Sequence, residues 1–388
     1  MFYQQPPVGN PVVSNESRNF VKQPDQVFAP FHANFYASGT ASLAAALIAA
    51  KRAKPVDHPE VILPAYACPD LLSAAVFAGV KPVLVDLEDD RPWLDLNDLG
   101  QKLSEQTIGI VAVDLFGIAE RHGTLGEMAK SVGAILIEDS AQSFPAGSGA
   151  SDFWQGDLVV VSFGRGKPVS LLGGGVVLSR AQPLSDLLPG PERVVPNTWA
   201  EAVKYRLKAA LYNFMISPRL YWIPQSLAFL HLGETRYHPL LWLEGMDSTR
   251  QSLLPANLSG YRSLDPGLPK RYSRLISELE VDPALLVDLP RITDTPFERR
   301  LLRYPLLVAP EIRDKLFLKL RRAGLGPSLM YPSILPEIPG VERLVENQGD
   351  FPGASSFARR ILTMPTHGRI RSEDVSAIQE ILVECIQV

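Results

Sequence analysis

Cysteine is nearly absent: Cys68 and Cys385 are the only two in 388 residues. Two thiols so far apart build neither a disulfide framework nor a thiolate metal site, and such usage suits a reducing cytoplasm. An excess of one charge is also missing. Lys plus Arg number 38 and Asp plus Glu 42, a formal net charge of -4. The chain is therefore not built chiefly to neutralise nucleic-acid phosphates. No uninterrupted apolar run reaches the length that spans a bilayer. The opening residues, MFYQQPPVGNPVVSN, lack a basic stretch leading into an apolar one and do not read as a secretory signal. The 34 prolines are scattered, without the period of collagen or of repeat proteins. His32, His58, His122, His231, His238 and His367 show no metal-ligand spacing, so no metal is expected.

What is present is ordinary globular material, 46% hydrophobic and 21% charged. The first half alternates strand and helix signals. Residues 61–63, 82–87, 109–115 and 134–138 are apolar, β-branched runs that stop at acidic or polar residues. Helix-like stretches lie between them, at 41–53, 71–78, 96–103 and 125–132. Apolar strands joined by single helices predict βαβ units and a mostly parallel sheet buried on both faces. Runs 157–163 and 174–178 are joined by a short glycine-rich link, which predicts an antiparallel pair. Residues 200–235 read as a hydrophobic helical segment rich in aromatics. Beyond it come charged helices and short strands at 304–308 and 361–364, then a helix from Ser372 to about Cys385. A large domain over 1–245 and a smaller α+β domain over 246–388 are expected.

Ligands on parallel sheets bind beyond the carboxyl ends of the strands, and four clusters fall there. Ser38-Gly39-Thr40 precedes the Ala-rich helix and reads either as an anion-binding helix N-terminus or as an ordinary cap. Glu138-Asp139-Ser140-Ala141-Gln142 ends a strand. Its carboxylates suit a ribose or a protonated ring nitrogen, a metal less well, or they are simple punctuation. Ser162-Phe163-Gly164-Arg165-Gly166-Lys167 sets a lysine among glycines, either a nucleophile toward carbonyls or a flexible basic loop. Gly173-Gly174-Gly175 lacks a strand–turn–helix setting and reads as a turn.

In this order and spacing, the clusters resemble the pyridoxal-phosphate-dependent aminotransferases of fold type I, and within them the DegT/StrS sugar aminotransferase family. The resemblance runs from about residue 35 to 180: SGTASL at 38–43, LPAYA at 63–67, VDLFG at 113–117, IEDSAQS at 137–143, SFGRGK at 162–167 and GGGVVLS at 173–179. It returns in MYPSIL at 330–335 and FARRILTMPTH at 357–367. It implies an α/β fold, a mostly parallel sheet flanked by helices plus a smaller α+β domain, and pyridoxal 5'-phosphate as cofactor. Lys167 resembles the Schiff-base lysine and Asp139 the carboxylate that pairs with the pyridine nitrogen. Gln142 resembles the side chain beside the ring, and Ser162, Ser38, Gly39 and Thr40 the phosphate contacts. Where the family carries an aromatic ring-stacking residue this chain has Cys68, with Tyr66 two positions earlier. Asp114 stands where family members commonly have His, and Gly173 where they have Glu. The Asn-Tyr-Arg segment through which a partner subunit reaches the phosphate has no clear copy. Arg165, Tyr331 and His367 are candidate substrate contacts.

The implied reaction moves an amino group from an amino acid, such as glutamate, to a keto or aldehyde acceptor, for instance a nucleotide-linked keto sugar. Elimination, desulfuration or condensation on the same scaffold is the alternative, as is a non-catalytic cofactor-binding scaffold. Retained Lys167 argues against the dehydratase branch, which replaces it with His. A cytoplasmic homodimer is expected. The segment 203–232 is the least family-like. It reads as a helical elaboration at a dimer interface, or as an apolar groove for a lipid-like or carrier-bound substrate.

Overall fold

The computed structural model describes residues 3–14, 27–147, 152–193, 198–226, 235–296, 299–345 and 348–386. His231 and residues 227–232 of the apolar segment lie outside them. The first half contains β1 (His32–Tyr36), α1 (Gly39–Ala53), β2 (Glu60–Pro64), α2 (Asp70–Ala78), β3 (Lys81–Val85), α3 (Leu96–Lys102), β4 (Thr107–Val113), α4 (His122–Ser131), β5 (Ile135–Asp139), β6 (Leu158–Ser162) and β7 (Gly175–Ser179). Then follow α5 (Gln182–Ser185), α6 (Trp199–Met215), α7 (Trp222–Ser226), α8 (Ser248–Arg262) and α9 (Gly267–Glu278). The last part contains β8 (Leu286–Asp288), α10 (Leu289–Ile292), β9 (Arg303–Val308), α11 (Pro310–Arg322), α12 (Pro352–Arg360), β10 (Ile361–Pro365) and α13 (Ser372–Ile386).

The large sheet has seven strands in the order β1-β7-β6-β5-β4-β2-β3. β3, β2, β4, β5 and β6 pair in parallel, and β7 returns antiparallel to β6, as the glycine-rich link predicts. Side-chain alternation assigns each strand's residues to two faces. Val111 and Ile137 point toward α1 and α2, whereas Ile110, Ala112 and Leu136 pack beneath α3 and α4. With both faces covered, every residue of β4 is buried, which is why the strand reads as one apolar run. α1 forms because Ser38 caps it, accepting from the Ala41 N–H at 3.0 Å, and because alanines let it lie flat on the sheet.

The sequence reading missed β1. Its residues HANFY are half polar, and it lies on the sheet edge, antiparallel to β7, where no apolar run is required. The segment expected to be helical over 200–232 is broken: α6 stops at Met215, Pro218 lies in the turn, and α7 restarts at Trp222. Just past residue 246, α8 begins, and its Leu253, Leu254 and Leu258 pack on Val159, Val161 and Val176 of the large sheet. A second sheet, β10-β9-β8, is antiparallel and carries α11, α12 and α13. Among the described residues, no helix is long and apolar enough to cross a membrane.

Candidate active site

Parallel pairing brings the ends of β2, β4, β5 and β6 to one edge of the sheet. Cys68, Asp114, Asp139 and Ser162 lie at or just beyond those ends. The N-terminus of α1 meets the same edge. A Cβ on Gly39 would come within 2.7 Å of Ser162 Cβ and Oγ, so only glycine lets helix and strand end approach this closely. Since Ser38 caps the Ala41 N–H, the N–H groups of Gly39 and Thr40 remain at the helix mouth beside the Ser162 hydroxyl. That is an anion cradle.

Lys167 follows in the loop between β6 and β7, its backbone N–H donating to the Gly164 carbonyl at 3.3 Å. Its ammonium makes no ion pair among the described residues. Gly174 holds the far end of this loop at φ 94°, where a Cβ would strike the Met246 side chain at 2.9 Å. Asp139 is buried; one carboxylate oxygen accepts from the Ala141 N–H at 3.0 Å, and the other takes no hydrogen bond among the described residues. Burial pushes its pKa up to about 6, against the opposing pull of Lys167. Gln142 is held from two sides. Its Oε1 accepts from the Phe116 N–H at 3.0 Å, and its Nε2 donates to the Tyr331 hydroxyl at 3.4 Å. Phe116 takes a strained left-handed φ of 61° to present that N–H.

Tyr331 therefore comes from the C-terminal half to face Gln142, with Cys68 and Asp139 among its neighbours. Cys68 is half-buried between Tyr331 and Lys167. Burial and Asp70 push its thiol up to about 12, so it stays protonated at neutral pH and is a poor nucleophile. Two expected contacts fall elsewhere. Tyr66 is fully buried, its ring 5.0 Å from Phe357 and 5.7 Å from Tyr331, so it supports Tyr331 from behind. His367 is buried against the N-terminal segment, with Nε2 2.8 Å from the Pro6 carbonyl, and burial lowers its pKa to about 4. Arg165 is exposed at the edge of the Lys167 loop.

Behind Asp139 lies a charged network that the sequence reading missed. Asp114 is wholly buried and accepts from Arg299 Nη2 at 2.5 Å and from the Glu120 N–H at 3.1 Å. His122 Nε2 lies 3.2 Å from Asp114 and 3.9 Å from Glu138. Burial works against the charged ring, but Asp114 outweighs it and raises the His122 pKa to about 9. Burial and Asp114 raise Glu138 to about 7, while its Oε2 accepts from the Gln155 and Gly156 N–H groups. Asp114, His122 and Glu138 converge closely enough to hold a metal. Arg299 already supplies a cation there, paired with Asp114. No local motif announces this network, because Arg299 lies 185 residues from Asp114.

The sequence model of the DegT/DnrJ/EryC1/StrS aminotransferase family matches residues 15–188, the stretch that builds the large sheet. The GDP-perosamine synthase of Escherichia coli O157:H7 is 28% identical over 175 residues, 43% of this chain and 47% of that protein. The chain thus matches about half the length of that relative. The dTDP-3-amino-3,4,6-trideoxy-alpha-D-glucose transaminase of Streptomyces venezuelae is 25% identical over 309 residues, 79% of this chain and 71% of that protein. Among solved structures, Helicobacter pylori PseC, an aminotransferase of pseudaminic acid biosynthesis, superimposes with a TM-score of 0.68 at 14% identity, covering 98% of each chain. S. venezuelae DesV superimposes at 0.66 with 19% identity, covering 97% of this chain and 91% of DesV. These likenesses establish the fold-type-I architecture, a mostly parallel sheet flanked by helices, and over residues 15–188 the chain is similar to the DegT/DnrJ/EryC1/StrS aminotransferase family.

Proposed function

We propose that the protein is a pyridoxal-phosphate-dependent aminotransferase that passes an amino group from an amino acid to a keto or aldehyde acceptor. One observation carries the reading: a lysine, a buried carboxylate and an anion cradle converge on one edge of the sheet. The residues fit the cofactor. The gap that Gly39 keeps open beside Ser162 suits a phosphate, and among the described residues the Lys167 amine has no ion-pair partner and one Asp139 oxygen no hydrogen bond. When bound, pyridoxal phosphate supplies an electron sink for the negative charge that develops at the donor carbon.

The chain's own groups do the rest. Ser162 and the N-terminus of α1 hold the phosphate and fix the ring's position. Asp139 keeps a proton on the ring nitrogen, and its burial makes it a strong acceptor for that proton. Gln142, anchored by Phe116, sets the ring's plane. The Lys167 amine would hold the cofactor and would take and return the donor carbon's proton. Cys68 and Tyr331 border the space above Lys167. Relatives named for perosamine and trideoxyglucose products support a keto sugar as the reacting part of the acceptor. A homodimer belongs to the same reading, since Leu207, Leu211 and Phe214 on α6 form an exposed apolar row.

The test is the absorbance of the purified protein with cofactor, before and after single amino acids are added. The lysine-bound band should appear, shift to that of the amino form with one donor, and be missing in Lys167→Ala. Absence of any band in the wild-type protein overturns the reading.

A further inference from the structure

A cavity of about 640 Å3 opens beside the Lys167 loop, between α6–α7 and the second sheet. Its walls are largely apolar, with Tyr212, Met215 and Phe317 among them. Arg303, the first residue of β9, lines it, and its Nε and Nη1 are buried without a hydrogen-bond partner. Among the described residues no carboxylate lies within ion-pair distance of this guanidinium. Tyr331, Tyr221 and Tyr66 face it, and burial keeps their hydroxyls neutral. A cation taken partly out of water without a counterion is unfavourable unless an anion arrives from outside. Two more arginines, Arg165 and Arg321, are exposed at the rim, also without ion-pair partners among the described residues. Besides arginines and tyrosines, the polar side chains lining the cavity are Gln225 and Ser328, few for recognising a nucleobase.

We propose that this cavity holds the non-reacting part of the acceptor, and that this part is an oxyanion carried on an apolar body rather than a nucleoside diphosphate. Arg303 takes the anionic group, the wall from α6 takes the alkyl or aryl body, and Arg165 and Arg321 draw the ligand in. The position fits an acceptor whose carbonyl reaches Lys167, because Gly166 and Met330, next to Lys167 and Tyr331, line the same space. Only the word acceptor rests on the aminotransferase reading.

Calorimetry on the cofactor-loaded protein tests it, with hexyl phosphate, inorganic phosphate, 1-hexanol and UDP as probes. Hexyl phosphate should bind at least about tenfold more tightly than each of the other three. Arg303→Gln should lower that affinity at least about tenfold, and Arg303→Lys should recover part of it. Without ligand, Arg303→Gln should melt at a higher temperature than wild type, since it removes a half-buried charge that has no counterion among the described residues. If that variant does not fold, Met215→Glu on the wall should abolish binding by repelling the anion. Equal binding of phosphate and hexyl phosphate, equal binding of hexanol, tighter binding of UDP, or affinity unchanged in Arg303→Gln would each overturn the proposal. The donor-dependent absorbance change is read separately. If hexyl phosphate binds through Arg303 and no amino acid changes the spectrum, the site stands and the aminotransferase reading falls. The reverse pair of results removes the site and keeps the reading.

Discussion

The two arginine-bearing regions around the Lys167 loop treat charge in opposite ways. At the strand ends, Arg299 lies 2.5 Å from Asp114, and His122 and Glu138 complete a buried network. In the cavity, Arg303 is half-buried, with no carboxylate paired to it among the described residues, and faces tyrosines instead. The first arrangement is self-sufficient and holds the strand ends in place. The second is incomplete within the chain, and that incompleteness marks where a ligand enters.

The largest expected effect separates the loop from both regions. Lys167→Ala should reduce turnover by about four orders of magnitude, the upper range for a positioned proton-transfer group that is also the attachment point. Its melting temperature should stay within a few degrees of wild type, because the ammonium has no ion pair among the described residues. A drop in stability comparable to the loss of activity would mean that the lysine is structural.

Next comes the network itself. Arg299→Gln should cost about 3–5 kcal/mol of folding stability, since it leaves the Asp114 charge buried with one cationic neighbour fewer. The side chain also lies 4.2 Å from the Phe153 ring centroid and donates to the Gly117 carbonyl at 2.6 Å, so packing is lost as well. Arg303→Gln, by contrast, should stabilise the free protein. Opposite signs for the two arginines would sharpen the contrast, and equal signs would break it. Denaturant unfolding of the two variants decides.

That contrast was only partly legible beforehand. The strand ends could be read because a strand buried on both faces must be an apolar run, and its end is marked by the first polar residues, as at Glu138-Asp139 and Ser162. Cys68, Asp139, Gln142, Ser162 and Lys167 follow from that logic together with the family resemblance. β1 escaped because an edge strand tolerates His32 and Asn34. Tyr66 lies two residues past the end of β2, and the bend there packs its ring into the core against Phe357, which no strand periodicity foretells. Arg299 and Arg303 were invisible: each acts through tertiary approach alone, and Arg299-Arg300 in sequence looks like a surface pair. His122 read as a lone histidine because its two carboxylates arrive from other strand ends.

A third prediction probes the network by pH. His122 has a folded pKa raised to about 9. Its stabilisation is therefore complete below its unfolded pKa of about 6.5 and lost as pH rises through 9. Glu138, raised to about 7, also loses stability with rising pH, but that loss is finished near neutrality. Between pH of about 7.5 and 9.5 the wild type should lose on the order of 2 kcal/mol, and His122→Gln should lose much less. A parallel fall in both would place the titration elsewhere.

The smallest effect concerns Asp139, where function and stability oppose each other. Burial raises its pKa to about 6, so the ionised carboxylate destabilises the free protein at neutral pH. Stability from this group is present below its unfolded pKa of about 4 and is lost as pH rises through 6. Asp139→Asn mimics the protonated form and can still accept from the Ala141 N–H. The free variant should therefore match wild type near pH 4 and exceed it by on the order of 2 kcal/mol above pH 7. Cofactor should reverse the order. A protonated ring nitrogen gives the wild-type carboxylate its missing partner, and the amide cannot replace that charge. The rise in melting temperature on adding pyridoxal phosphate should accordingly be larger for wild type than for Asp139→Asn. An equal rise in both would mean that Asp139 does not meet the ring, and that its charge, like that of Arg303, awaits some other ligand.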